Sequence, residues 1–253
     1  MQQVLAKRSF NRLTRLIMVL VSTGPAFALA DEALVVVATN FAEASEKLEA
    51  NFEASSEHTI KVLMGSTGKL YAQIVNGAPF DVFLAADSRR PELLEQSGAA
   101  IDGTRFVYAV GRLTLWSPDP EHIGLERPIR SLAIANPALA PYGTAALEAM
   151  KSLHIWDALE DKLVMGENVG QAFALVATRN AEVGFVALSY VLSERNIQSA
   201  SRWDVPTEHY SPIRQEAVLL SHGKDNPAAT AFLEFLQSNS ARETIESLGY
   251  GVP

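Results

Sequence analysis

Four short turns place hydroxyl, amide or glycine residues between an apolar run and a helix-like period. They are Thr39-Asn40, Gly65-Ser66-Thr67-Gly68, Pro141-Tyr142-Gly143 and Glu167-Asn168-Val169-Gly170. Free backbone N–H groups and the positive end of the dipole at the start of a helix favour an anion. Each turn alone is explained by helix capping. Together they predict one dehydrated anion held by hydroxyl groups, an amide and backbone N–H groups.

Other patterns that could carry chemistry are absent from the sequence. The chain has no cysteine, and its five histidines lack the spacing of metal ligands. Residues 65–69 superficially resemble a phosphate-binding P-loop, but Leu63 stands where the first glycine is needed and Leu70 replaces the magnesium-binding hydroxyl. No Gly-x-Ser-x-Gly nucleophile elbow occurs. We therefore expect neither an enzyme nor a cofactor, and no protein side chain that ligates a metal directly.

The acidic balance of the chain restricts its partners. Asp and Glu number 29 against 21 Lys and Arg, which gives a formal net charge of −8. Because a nucleic-acid binder needs a basic face, we expect no nucleic-acid partner. An acidic protein also does not attract an anion at long range. The predicted site must therefore select its anion by local dipoles, cavity size and the number of donors.

The first 30 residues have the composition of a secretory signal peptide. Four basic residues and no acid precede the apolar residues 16–21, and the segment ends in Ala28-Leu29-Ala30. We expect cleavage after Ala30 and a periplasmic location. The remaining 223 residues contain 17 basic and 29 acidic side chains, a net charge of −12.

The remaining chain alternates strand-like and helix-like segments, which predicts an α/β fold with mixed, mostly parallel sheets. Two long extended stretches, residues 105–116 and 215–221, would carry the chain into a second lobe and back. We expect residues 31–110 and 213–253 to form the first lobe and residues 111–212 the second. Between them lies a ligand cleft, because open α/β sheets bind ligands at the carboxyl ends of their strands. Residues 156–163 are predicted to be helical.

Several segments resemble the periplasmic molybdate-binding proteins of ABC transporters. The most distinctive is Gly-Ala-Pro-Phe-Asp-Val-Phe-Leu-Ala-Ala-Asp at residues 77–87. The others are residues 35–41, 65–70, 136–143, 167–169 and 182–186, which follow in the family's order and span nearly the whole secreted chain. The resemblance implies a two-lobed periplasmic-binding-protein fold of type II that closes on its ligand like a hinge.

The resemblance also implies a set of ligand-binding residues. Thr39, Asn40, Ser66 and Thr67 stand at the donor positions of the first lobe, with Ser66 and Thr67 as alternatives for one hydroxyl position. In the second lobe, Tyr142 and Val169 stand where family members donate backbone N–H groups. Some members use a further tyrosine hydroxyl, but that position is Ala187 here, and Tyr190 is the nearby replacement candidate.

The sequence leaves three alternative functions open. The first is capture of molybdate, and of tungstate, by a monomer that delivers the oxyanion to a membrane permease. The second is a binding protein of the same fold for sulfate, phosphate, ferric iron or an organic acid. The third is a secreted hydrolase, for which the sequence offers no nucleophile and base motif.

Overall fold

Two separate five-stranded sheets organise the chain in a computed structural model that describes residues 30–121, 127–193, 196 and 200–253. The predicted signal peptide, residues 1–30, lies outside the described residues except for Ala30. None of the helices in the described part of the chain has the length and apolar content to cross a membrane.

The first sheet has the strand order β2-β1-β3-β10-β4. Its strands are β1 (Glu32–Ala38), β2 (Thr59–Gly65), β3 (Val82–Leu84), β4 (Phe106–Gly111) and β10 (Ile213–Leu219). β1 pairs in parallel with β2 and β3, while β10 runs antiparallel to both β3 and β4. Four of the five strands therefore point in one direction. Val35, Val36 and Val37 in β1 are fully buried, as expected for a strand with helices on both faces.

The second sheet repeats this arrangement with the order β7-β6-β8-β5-β9. Its strands are β5 (Leu113–Ser117), β6 (Leu132–Ala135), β7 (Leu163–Gly166), β8 (Val183–Ala187) and β9 (Ser201–Asp204). β6 pairs in parallel with β7 and β8, and β5 runs antiparallel to β8 and β9. The predicted α/β fold with two mixed, mostly parallel sheets is confirmed.

The α-helices pack on the faces of the two sheets and bury separate apolar cores. They are α1 (Ala42–Ser55), α2 (Thr67–Val75), α3 (Arg89–Gln96), α4 (Pro141–Ser152), α5 (Trp156–Leu159), α6 (Val169–Ala177), α7 (Leu188–Leu192), α8 (Pro227–Leu236) and α9 (Asn239–Ser247). α1, α2, α4 and α6 each begin close to the carboxyl end of a strand. The fold therefore brings helix N-termini to one edge of each sheet.

The prediction of one helix over residues 156–163 is wrong at its end. Only α5 is α-helical, a 3-10 turn follows over Glu160–Lys162, and Leu163 begins β7. β7 pairs with the fully buried β6 along its whole length. This tertiary pairing decides the structure of a segment that is too short for periodicity to identify.

Asp81 ties three elements of the first lobe together. The residue is 4 % exposed, and its Oδ2 accepts from the backbone N–H of Leu34 at 2.7 Å and from Nδ2 of Asn226 at 3.2 Å. Oδ1 lies 2.8 Å from Nδ1 of His222. A buried carboxylate with these partners links the start of β3 to β1 and to the segment before α8.

We predict that Asp81→Asn destabilises the protein by about 1.5–3 kcal/mol, because the amide has one acceptor oxygen instead of two and lacks the charge that strengthens these hydrogen bonds. Urea unfolding measures the change, with the exposed Asp102→Asn as control. Equal unfolding free energies for the two variants would contradict this role of Asp81.

Candidate functional site

A small cavity lies between the two sheets, where the carboxyl ends of β1, β2 and β3 face the N-termini of α4 and α6. Its volume is about 10 Å3, close to the space that one water molecule needs. The residues predicted from the sequence all line it: Thr39, Asn40, Ser66, Thr67, Tyr142 and Val169. The structure thus brings these positions together, while their contact with a ligand remains a prediction.

Ser66 and Thr67 present two hydroxyl groups at the start of α2. Ser66 is the N-cap, and its Oγ accepts from the backbone N–H of Lys69 at 3.4 Å. Oγ1 of Thr67 accepts from the backbone N–H of Ala86 at 3.2 Å. Both residues are at most 2 % exposed. Because backbone N–H groups already occupy an acceptor position on each oxygen, both hydroxyl protons are available for donation into the cavity.

Asn40 lies in the 3-10 turn that follows β1 and is buried. Its Nδ2 donates to Oε1 of Gln215 at 2.7 Å, and the hydroxyl of Tyr108 lies 3.1 Å from the same oxygen. Oδ1 of Asn40 and Nε2 of Gln215 have no hydrogen-bond partner among the described residues. Buried polar atoms of native proteins nearly always have a hydrogen-bond partner, so this pair of amides indicates a further partner, such as a ligand.

The second lobe supplies the first turns of α4 and α6. Within the described residues, the backbone N–H groups of Tyr142 and Val169 have no backbone acceptor, as expected so close to a helix N-terminus. Asn168 caps α6, and its Oδ1 accepts from the backbone N–H of Gln171 at 2.9 Å. Asn168 lines the cavity but was not among the predicted site residues, although its position before a helix start was a signal for it.

The hydroxyl of Tyr142 lies against the backbone of Gly111. This hydroxyl is buried without a partner among the described residues, and a Cβ atom at position 111 would approach it to 2.3 Å. Burial raises the pKa of Tyr142 well above its ordinary value, so the phenol is neutral. The backbone N–H of Tyr142, at the second residue of α4, fits the predicted contact.

The wall of the cavity has a positive electrostatic potential that comes from dipoles and not from charged side chains. Among the described residues that line it, none carries a charged side chain. The nearby Lys69 is paired with Glu167, and Arg90 is paired with Asp87. The N-termini of α2, α4 and α6 direct their positive dipole ends toward this region. The arrangement suits a small anion that is bound by neutral donors.

Ala187 and Tyr190 do not line this cavity. Ala187 is fully buried, and the hydroxyl of Tyr190 donates to the backbone carbonyl of Thr39. Burial raises the pKa of Tyr190 to about 12, although its hydrogen bond to Thr39 lowers it, so this hydroxyl stays protonated at neutral pH. In this structure the Tyr190 hydroxyl is therefore directed to the turn that carries Thr39, and Tyr190 is not part of the cavity wall.

A wider cleft of about 450 Å3 lies beside the cavity and shares Ala86 and Pro141 with it. Its wall includes Arg89, Arg214 and Glu148, which are ionic side chains. The smaller cavity is better suited to recognising a small ion, because hydroxyl, amide and backbone donors from both sheets converge on it.

Comparison with known proteins agrees with this arrangement. Residues 33–251 match the family model described as bacterial extracellular solute-binding protein. The molybdate-binding protein ModA of Azotobacter vinelandii is 45 % identical over 231 residues, which are 89 % of this chain and 92 % of the relative. ModA of Rhodobacter capsulatus is 43 % identical over 228 residues, covering 88 % and 89 % of the two chains.

The solved structure of the periplasmic molybdate-binding protein of Azotobacter vinelandii superposes with a TM-score of 0.83 at 36 % identity. The match covers 87 % of this chain and 99 % of that one. The chain therefore belongs to the bacterial extracellular solute-binding proteins and, among them, to the molybdate-binding ModA family.

Proposed function

We propose that this protein captures molybdate, and also tungstate, for uptake by an ABC transporter. The observation that carries the proposal is the small interlobe cavity whose described wall offers hydroxyl, amide and backbone donors without a charged side chain, in a chain of the molybdate-binding family. Each hydrogen bond to a charged group stabilises a complex by about 1.5–3 kcal/mol. Several converging donors can therefore replace the hydration shell of an oxyanion.

The proposed donors come from both lobes. Ser66 and Thr67 donate hydroxyl protons, and Thr39 adds a third hydroxyl from the turn after β1. Tyr142 and Val169 donate backbone N–H groups from the starts of α4 and α6. An oxyanion bound by all of these groups bridges the lobes and stabilises the state in which the lobes are in contact.

The amide of Asn40 completes this donor set. A concerted 180° turn of the Asn40 and Gln215 amides keeps a hydrogen bond between them and moves Nδ2 of Asn40 into the position now held by its unpartnered Oδ1. Nε2 of Gln215 then donates to Oδ1 of Asn40 and to the Tyr108 hydroxyl, which can accept because its own proton reaches the carbonyl of Ala85 at 3.2 Å, and both N–H groups of Asn40 become available. This orientation provides an additional donor for the anion without the loss of a buried hydrogen bond.

The other ligands of this fold fit the cavity less well. Ferric iron needs anionic oxygen ligands, whereas the described wall has only neutral groups. An organic acid would place apolar carbon atoms against these converging donors and leave some of them unpaired, whereas a tetrahedral oxyanion presents an oxygen in every direction. Sulfate has the same charge and shape as molybdate but is smaller, so we expect it to reach fewer of the converging donors.

The proposal extends to the setting in which the protein acts. We infer cleavage of the signal peptide after Ala30, a periplasmic location, a monomeric state and delivery of the oxyanion to a membrane permease. Its relatives are solute-binding proteins, and we propose that this chain likewise carries out capture without catalysis.

We predict that molybdate and tungstate raise the melting temperature of residues 31–253 by about 5 °C or more. Ligand at 100 times its Kd adds about 2.7 kcal/mol to the free energy of unfolding. Differential scanning fluorimetry with molybdate, tungstate, sulfate and phosphate measures the shifts. A shift with sulfate or phosphate alone would contradict the proposed ligand, and so would the absence of any shift.

Thr67→Val is expected to raise the Kd for molybdate roughly ten- to hundredfold, because it removes a hydroxyl donor to a charged ligand while keeping the side-chain volume. It also lowers stability by about 1–3 kcal/mol, because the buried N–H of Ala86 loses its acceptor. Ser66→Ala should act in the same direction and also lower stability by about 1 kcal/mol through loss of the N-cap. Isothermal titration calorimetry gives Kd, with the exposed Thr230→Val on α8 as control. Unchanged affinity in both site variants would show that α2 does not hold the ion.

We further propose that residues 31–110 with 213–253, and residues 111–212, are rigid lobes that close on the ligand. The lobes are in contact here through Gly68, whose backbone N–H donates to the carbonyl of Leu139 at 2.9 Å, and through Arg90 with the carbonyl of Ala138. The radius of gyration from small-angle X-ray scattering should fall when molybdate is added. An equal radius with and without molybdate would contradict hinge closure.

A further inference from the structure

Two hydroxyl side chains of α7 cross from the second lobe to the turn that carries Thr39 and Asn40. The hydroxyl of Ser189 donates to the backbone carbonyl of Asn40 at 3.0 Å. The hydroxyl of Tyr190 donates to the backbone carbonyl of Thr39. Both bonds therefore join a residue that follows β8 of the second sheet to a turn that follows β1 of the first sheet.

The second lobe fixes the position of Tyr190 from several sides. Its ring stacks on Phe173 with a centroid distance of 5.0 Å, and Phe173 stacks in turn on the buried Trp116 at 4.8 Å. At Gly170, a Cβ atom would lie 2.7 Å from the Tyr190 hydroxyl and 3.5 Å from Cβ of Thr39. The absence of a side chain at position 170 leaves the space that the hydroxyl occupies.

The first lobe holds the accepting carbonyls equally firmly. The carbonyl of Thr39 also accepts from the backbone N–H of Ala42, and the carbonyl of Asn40 also accepts from the hydroxyl of Tyr250. The Tyr250 hydroxyl lies 2.9 Å from Oγ of Ser189. The hydroxyl of Ser189 thus lies against two polar groups of the first lobe, the carbonyl of Asn40 and the hydroxyl of Tyr250, and it is buried with hydrogen-bond partners.

The carbonyl that Tyr190 contacts belongs to the peptide unit whose N–H group is that of Asn40. A hydrogen bond to a carbonyl polarises its peptide and strengthens the donor at the other end. Tyr190 itself does not line the cavity, whereas Asn40 does. The contact therefore acts on the donor turn from a residue outside the cavity wall.

We propose that Ser189 and Tyr190 form an interlobe latch, a pair of positioning residues that stabilise lobe closure and slow release of the oxyanion without touching it. The latch rests on the proposed function, because closure is coupled to binding. Its bonds exist only while the lobes are in contact, so they affect dissociation of the ion and leave its first encounter with the open protein unchanged.

Tyr190→Phe tests the latch, because it keeps the aromatic stack and removes one hydroxyl. We expect the dissociation rate of molybdate to rise about two- to tenfold, as for the loss of one ordinary hydrogen bond, with the association rate within about twofold of wild type. The ratio of the Kd values for molybdate and sulfate should stay constant, since the hydroxyl does not contact the ion. Stopped-flow tryptophan fluorescence gives the rates, with Tyr71→Phe on α2 as the matched control.

Each outcome separates the latch from the proposed function. Wild-type protein that fails to bind molybdate overturns the proposed function itself. Wild-type protein that binds, with unchanged dissociation from both Tyr190→Phe and Ser189→Ala, overturns the latch alone. A changed molybdate-to-sulfate ratio in Tyr190→Phe also overturns it, because the hydroxyl would then contact the ion. A fall in the melting temperature of the ligand-free variant that accounts for the weaker binding assigns Tyr190 a purely structural role.

Discussion

Removing an anion from water without a cation to pair with it is the constraint on which this site depends. The effective desolvation penalty of an ion in a protein is several kcal/mol, and here it must be offset by neutral N–H and O–H groups alone. One helix N-terminus offers too few of them. The carboxyl ends of β1 and β2 face the first turns of α4 and α6 across the cleft. Because both sides contribute N–H and O–H groups, enough donors surround one point. The parallel strands of both lobes are thus required by the chemistry of the site.

The donors also need a fixed direction. The side-chain oxygens of Ser66 and Asn168 each accept a hydrogen bond from the first turn of their own helix. The hydroxyl oxygen of Thr67 accepts one from the backbone N–H of Ala86. These local bonds leave the polar hydrogens as the groups still available to a ligand. The hydrogen bonds that cap the helices therefore also orient the proposed donors. Side chains that are ordered before binding lose less conformational entropy when the ligand binds.

The local chemistry of the site could be predicted from the sequence, because each donor turn is encoded within a few residues. The β-branched residues of β1 and the residues around Ser66 and Asn168 indicate a strand end or a helix start on their own. The supporting contacts could not be predicted in this way. Gln215 reaches Asn40 across 175 residues, and Tyr190 reaches Thr39 across 151. The helix predicted over residues 156–163 runs into the first residue of β7, because only the pairing of β7 with β6 identifies residues 163–166 as a strand.

The interlobe contacts have to be few for capture to depend on the ligand. A ligand shifts a two-state equilibrium only by its differential affinity for the two states, so lobes held together strongly by their own contacts would close when empty. The contacts described across the cleft are a small set of hydrogen bonds and the exposed pair of Lys69 and Glu167, and exposed pairs contribute little. Ser189 and Tyr190 add two bonds whose acceptors are backbone carbonyls, and these bonds form whichever oxyanion is bound. Selectivity can then reside in the donors around the cavity, while the latch sets how long a bound ion is kept.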